Sequence, residues 1–221
     1  MDRNDIDIFT PMREFFSEEK KSLYTAIPAF VTAFDPKYQT AQLQIAIKQI
    51  DYLGNQVDCP IILECPVLQT GGNWLLETQI DAGTEGLAVF SQRCIDAWLQ
   101  TGGVAQNPIM RVCDIQDAFF IAGFRSNPKA IPSFANNGIR IRNRQGSHYV
   151  WLKKDGTIEA KNDNGSIVIE SGGTVKINGK VTIDTAGNVT TPADMKASGI
   201  SLNSHVHGGI SRGGSSTNSP S

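Results

Sequence analysis

The pattern of apolar and polar positions divides the chain into two regimes. Up to about residue 130 the periodicities are mixed, whereas 138–200 is a run of short apolar alternations punctuated by Gly, Asn and Asp. In the first regime, residues 11–24 read as an amphipathic helix with Thr10 as N-cap. Pro11 takes the first helical position, where a missing N–H costs no bond, and Met12, Phe15, Phe16 and Leu23 fall near one face. Beyond Pro28 the pattern turns to strands: 29–34, a turn at Asp35-Pro36-Lys37, then Ala41, Leu43, Ile45 and Ile47 in alternation. Further strands are predicted at 60–68, 74–80 and 86–90. A short helix follows from Ser91 as N-cap, with Cys94, Ile95, Trp98 and Leu99 on one side, and then strands at 109–115 and 117–123. Five or so antiparallel strands with one late helix suit an OB-fold barrel, which closes its sheet and so removes exposed edges.

Residues 138–200 carry a different regularity. Strands are predicted at 139–142, 149–152, 157–160, 166–169, 174–177, 180–183 and 188–190, each apolar at alternate positions. Between them lie Asp155-Gly156, Asn164-Gly165, Gly172-Gly173, Asn178-Gly179 and Gly187-Asn188, which accept the positive φ of tight turns. Ile158, Ile167, Val175, Val181 and Val189 recur at steps of nine, eight, six and eight residues, a degenerate repeat. Strands this short bury only two small side chains apiece, so one chain alone has almost no core here. Three copies around one axis, each giving a strand per layer with Val and Ile inward, solve that problem. The expected product is an intertwined triple-stranded β-helix whose ladder hydrogen bonds run between chains, a rod of roughly 30 Å at ~4.8 Å per strand. The alternative is a hairpin meander packed on the barrel. The fold class expected is therefore all-β.

Composition narrows the function. With 221 residues, 40% hydrophobic and 19% charged, the chain is neither disordered nor membrane-spanning, and no run approaches the ~18 apolar residues of a spanning helix. The start, MDRNDIDIFTPMREFF, lacks a basic region followed by an apolar stretch, so the chain is expected to begin in a cytoplasm. A net charge of −2 without a Lys/Arg cluster argues against a broad nucleic-acid surface. Cys59, Cys65, Cys94 and Cys113 show no C-x2-C pair and read as reduced, buried residues.

The candidate chemistry lies at the end. Two of the three histidines, His205 and His207, are separated by one residue, and in a strand i and i+2 point to the same face. One chain then supplies two imidazoles, whereas three chains around an axis supply six, an octahedral set for a first-row transition metal. Six nitrogens disfavour zinc, and Fe2+, one per trimer, is the first choice. With every position filled by protein, such a metal is structural rather than catalytic. The alternative is a solvated His-x-His in the tail. His148 reads as a surface strand residue, and Glu64, Glu77 and Glu85 as isolated, solvated carboxylates.

An N-terminal helix, an OB-like barrel, a β-helical stem and a closing Ser204-His205-Val206-His207-Gly208-Gly209 before a Gly/Ser/Thr/Pro tail resemble a known family. It is the central spike, or baseplate assembly protein V, of contractile-tailed phages and related particles, most nearly the Gp138-type membrane-piercing spikes. The stretches 86–91, 95–99 and 114–120 are similar to that family's barrel. The resemblance implies four parts: an arm and helix at 1–27, an OB-fold collar at 28–130, a triple-stranded β-helix stem at 131–200, and an apex at 201–221. It further implies a homotrimer whose collar joins hub and tail-tube proteins, and whose needle crosses the host outer membrane when the sheath contracts. In such spikes paired histidines hold an iron ion near the apex, and the resemblance carries that role to His205 and His207 of each chain. Residence in the virion tail, assembly in the host cytoplasm, no enzymatic activity and no nucleic-acid partner also follow from it. Two other classes remain as alternatives. A polysaccharide- or cell-wall-degrading tail protein needs paired carboxylates, and in the lysozyme form about 150 further residues. An OB-type nucleic-acid module needs a basic groove.

Overall fold

A computed structural model describes residues 9–206, 208–209 and 213–214, and it separates into two units, 1–130 and 131–221. In the first unit, helix α1 (Phe9–Lys21) precedes five antiparallel strands: β1 (Ala26–Asp35), β2 (Thr40–Ile45), β3 (Ile62–Pro66), β4 (Glu85–Phe90) and β5 (Ala118–Ala122). They are ordered β3-β2-β1-β4-β5. Period-two burial sets the inner face: Ala41, Leu43 and Ile45 of β2 are buried while their neighbours are not. β1 is long enough to pair with both β2 and β4, and a bulge between Val31 and Ala33 bends it. The sheet thereby curls into a half-barrel whose edges meet at one point. Leu68 N–H donates to Phe120 O at 2.9 Å, and Val67 bridges Phe120 in the parallel sense. Phe120 is fully buried, and Gly86 leaves the room for it: a Cβ at 86 would lie 2.5 Å from the Phe120 ring.

Several local expectations are corrected. Thr10 is not the cap of α1, because the helix already includes Phe9; Pro11 stays in the first turn, where its missing N–H is harmless. Ile47 lies beyond β2 and is exposed, and 74–80 contracts to a two-residue ladder, Leu75–Leu76 on Thr70–Gly71. The late helix α2 (Asp96–Thr101) starts after Ser91, whose hydroxyl instead accepts Arg93 N–H. Ile95, the residue before the helix, is held from across the chain, as Asp117 Oδ1 accepts Ile95 N–H at 3.0 Å. Residues 109–115 form no strand. That segment spends its polar groups elsewhere: Arg111 turns in to Asp117, donating from Nε at 3.0 Å and Nη2 at 2.8 Å, and Cys113 O accepts Tyr24 N–H. Asp117 is fully buried and Arg111 largely so. The four cysteines are free thiols, and burial pushes Cys65 up to about 12.

The second unit is a seven-stranded antiparallel sheet in chain order. Its strands are β6 (Gly138–Arg142), β7 (Tyr149–Lys153), β8 (Ile158–Lys161), β9 (Ser166–Ile169), β10 (Val175–Ile177), β11 (Val181–Ile183) and β12 (Val189–Thr190). The strands fall where the alternation puts them, but their ladder hydrogen bonds run within the chain, not between chains as expected for intertwined copies. Turn chemistry is the reason. Asp155 Oδ1 accepts Thr157 N–H, Asn162 Oδ1 accepts the N–H groups of Asn164 and Gly165, and Asp184 Oδ1 accepts those of Ala186 and Asn188. With Gly156 at φ 89° and Gly187 at φ 87° taking the left-handed positions, each strand reverses at once and pairs with its own successor.

One face of this sheet carries charge and aromatic rings. The Arg140 guanidinium lies 4.4 Å from the Tyr149 ring centre and 4.8 Å from that of Trp151. Glu159 accepts Lys153 Nζ at 2.6 Å and Tyr149 Oη at 2.8 Å. The Lys153 ammonium, followed by the Tyr149 hydroxyl, holds the Glu159 carboxyl below its ordinary value, while burial pushes the Tyr149 phenol up. A carboxyl lowered in the native state adds stability above its unfolded pKa and loses it as pH falls through the native value.

Two predictions follow from these contacts. Asp117→Ala removes the buried partner of Arg111, leaving it only the exposed Asp96 as a counter-charge, and strands the Ile95 N–H, and denaturant melts should show a loss on the order of 3 kcal/mol. Glu159→Gln should flatten the fall in melting temperature below about pH 4.3 relative to the parent chain; an unchanged acid limb would remove Glu159 from the network.

Candidate functional site

The other face of the second unit is built by register. Ile139, Leu152, Ile158, Ile169, Val175, Ile183 and Val189 oppose one another in sequence and form one cross-strand row. Ile141, Val150, Ala160, Ile167, Ile177 and Val181 form a second row beside it. Period two sends the intervening Arg140, Trp151, Glu159 and Lys176 to the opposite side. The five repeat positions predicted from sequence, Ile158, Ile167, Val175, Val181 and Val189, thus share one face, alternating between the two rows. What the sequence reading missed is that the row is double. The steps of six to nine residues jump across strands, so only the register shows the partner positions.

This aliphatic face is the open one. Ile139 is 72% exposed and Ile167 51%, whereas Arg140 and Trp151 on the charged side are half-buried. Among the described residues of the second unit none is buried. Covering such side chains is worth about 1.5 kcal/mol or more apiece. The face is therefore an interaction surface that one chain leaves without a second layer.

Beyond the sheet a two-residue hairpin, β13 (Lys196–Ala197) on β14 (Ile200–Ser201), turns through Ser198 and Gly199, both with positive φ. It organises the start of the histidine segment: Leu202 N–H donates to Met195 O, Asn203 N–H to Asp194 Oδ1, and Ser204 N–H to Ser201 Oγ. His205 folds back on the same hairpin, with Nδ1 2.9 Å from Ser201 O. A carbonyl only accepts, so Nδ1 carries the hydrogen, and in the neutral ring the lone pair sits on Nε2. That is the atom an imidazole offers a metal, with the other nitrogen held by a backbone carbonyl. His205 thus fits a ligand role, while His207 lies outside the described residues.

The remaining candidates are not brought together. His148 sits in the turn before β7 rather than in a strand, its Nε2 3.0 Å from Asp163 Oδ2 on an exposed surface. Glu85 accepts the Ser126 N–H and hydroxyl, contacts that hold its carboxyl below its ordinary value; Glu64 and Glu77 are exposed in the same unit. One cluster went unseen from sequence: Cys94 Sγ, Asp96 Oδ2 and Asp117 Oδ1 converge, but all three lie within 3.1 Å of Arg111 Nη2. The guanidinium already fills that space as its cation. Its four members are scattered from 94 to 117, and no spacing announces them.

Comparison with known proteins accounts for both ends of this arrangement. Residues 27–123 match the phage protein Gp138 N-terminal domain, which takes in the whole half-barrel sheet apart from the first residue of β1. Residues 199–220 match the GpV Apex motif, which begins inside the tip hairpin and includes both His205 and His207. No curated protein matches the chain. The two matches take in just over half of the 221 residues and flank the unmatched seven-stranded sheet. A Gp138 domain at the front and a GpV apex at the end place this chain among the phage baseplate central spike proteins.

Proposed function

We propose that the protein is the structural, non-enzymatic central spike at the tip of a contractile tail, a homotrimer that pierces the host outer membrane on sheath contraction. The observation that carries this reading is the double row of aliphatic residues, open to solvent in one chain and leading to an apex motif. Three copies packing these faces around an axis bury both rows. Each chain then forms one wall of a β-helical stem of roughly 30 Å, with its ladder kept inside the wall. The first unit acts as an OB-fold collar toward hub and tail-tube proteins; the parallel bridge between the edges of its curled sheet supports that assignment. Virion tail location accompanies the family, and no nucleic-acid partner is included.

At the apex, His205 and His207 of each chain hold an iron ion, one per trimer. The metal supplies cross-linking rather than catalysis. Three chain ends are the place where strands would otherwise fray, and a shared metal opposes that where force is concentrated.

Native mass spectrometry with elemental analysis on one purified sample tests the reading: a trimer with one iron per three chains supports it, and a metal-free monomer refutes it. His205→Ala combined with His207→Ala should remove the metal and leave the trimer, because the stem rows provide most of the burial. Ile167→Asp should abolish trimerisation, since three carboxylates would meet near the axis without counter-charge; a wild-type trimer in that variant would move the aliphatic face to the outside.

A further inference from the structure

On the strength of the trimeric metal-tip reading above, we infer that Asp194 is a positioning residue for the apex metal. It lies five residues before the apex match at 199–220, yet it fastens the backbone that aims His205.

Hairpin register puts Asp194 in that place. Strands β13 and β14 pair Ala197 with Ile200 and Lys196 with Ser201. One step further from the turn, Leu202 N–H donates to Met195 O at 2.8 Å, which makes Met195 and Leu202 a hydrogen-bonded pair. The next pair in the same register is Asp194 with Asn203, a position where an antiparallel ladder has no backbone bond to offer. There the side chain takes over, and Asp194 Oδ1 accepts Asn203 N–H at 3.1 Å. An ionised acceptor makes this a charge-assisted bond.

Beyond it the chain closes one turn onto Ser201. Ser204 N–H donates to Ser201 Oγ at 2.8 Å, and His205 N–H donates to Ser201 O at 3.2 Å. The same carbonyl takes the hydrogen on His205 Nδ1 at 2.9 Å, so the main chain and the ring of His205 are fixed against one atom. Four consecutive N–H groups, 202–205, are therefore held, and Asp194 supplies the one side-chain bond that ties this turn to the opposite arm of the hairpin. Without that bond the turn pivots at Leu202 and carries the imidazole with it.

Asp194, Asn203 and His205 are all exposed, so water replaces a lost bond there and the assembled stem is little affected. The cost falls on alignment. Three copies converge on one metal only if each presents its ring at the same angle, and removing an outer partner of a ligand typically weakens a metal site about 10–100-fold.

The test follows iron release to a chelator from the full chain, with native mass on the same samples, for the parent, Asp194→Ala and Asp194→Asn. Asn keeps the side-chain oxygen that accepts Asn203 N–H and lacks the charge. Asp194→Ala should release iron about tenfold faster than the parent, or fail to load it, with the trimer mass retained; Asp194→Asn should stay close to the parent. In metal-free samples, amide hydrogen exchange over 202–205 should be faster in the Ala variant alone. Parent-like iron release or exchange in Asp194→Ala, or release from Asp194→Asn as fast as from Asp194→Ala, overturns the positioning role and leaves the spike reading intact. Loss of the trimer in Asp194→Ala also overturns it, because the carboxylate would then support assembly rather than the ligand. A parent chain that is monomeric, or trimeric without iron, overturns both.

Discussion

The structure turns on an aliphatic sheet face that its own chain does not cover. Two rows of Ile, Val and Leu run the length of the seven-stranded sheet, and among the described residues the second unit adds only the two-residue tip hairpin, with no helix and no sheet of matching length to lie over them. A sheet with one apolar face requires another layer. Since strands of two to five residues bury little individually, what matters is that the rows are continuous from β6 to β12. The cover therefore has to be equally long and equally regular, a requirement that further copies of the same sheet meet. Stem rigidity, the meeting of three apices and the geometry of a metal site all descend from that requirement in the proposed assembly.

The opposite face shows where the chain spends its own interactions. Arg140 against Tyr149 and Trp151, and Lys153 with Glu159 and the Tyr149 hydroxyl, lie on the three strands nearest the first unit in sequence. Arg142 adds a clasp there, donating to the carbonyls of Pro132, Ser133, Asn143 and Arg144. Farther along, the charged side thins to Thr182 and Thr190, and the sheet depends increasingly on its aliphatic rows.

In the first unit a single buried charge pair has a comparable role. Asp117 joins the N-terminus of α2, the loop carrying Arg111 and the entrance to β5, and its own carbonyl accepts Ser91 N–H at the end of β4. Isolated charges of this kind are costly to bury, and here each carboxylate oxygen has a donor. With Asp117 placed, Phe120 enters the core over Gly86 and brings the last strand to the third.

How much was legible follows from the range of each interaction. The strands of the second unit and their turns were readable because each depends on neighbours a few positions away: period-two alternation and Asx-Gly turn chemistry. Four kinds of feature were not. The strand expected at 109–115 dissolves because Arg111 is drawn to Asp117. The helix start moves from Ser91 to Ile95, whose N–H is tied down by Asp117, a residue 22 positions away. The double aliphatic row depends on register between strands. Pairing of each strand with its own successor, rather than with other copies, was settled by the turns closing tightly in three dimensions. The sequence by itself determined the local periods, the turn positions and the candidate ligands. Tertiary structure alone decided which residues oppose one another and which face stays open, because hydrogen-bond register and burial are set by groups that meet only when distant segments fold together.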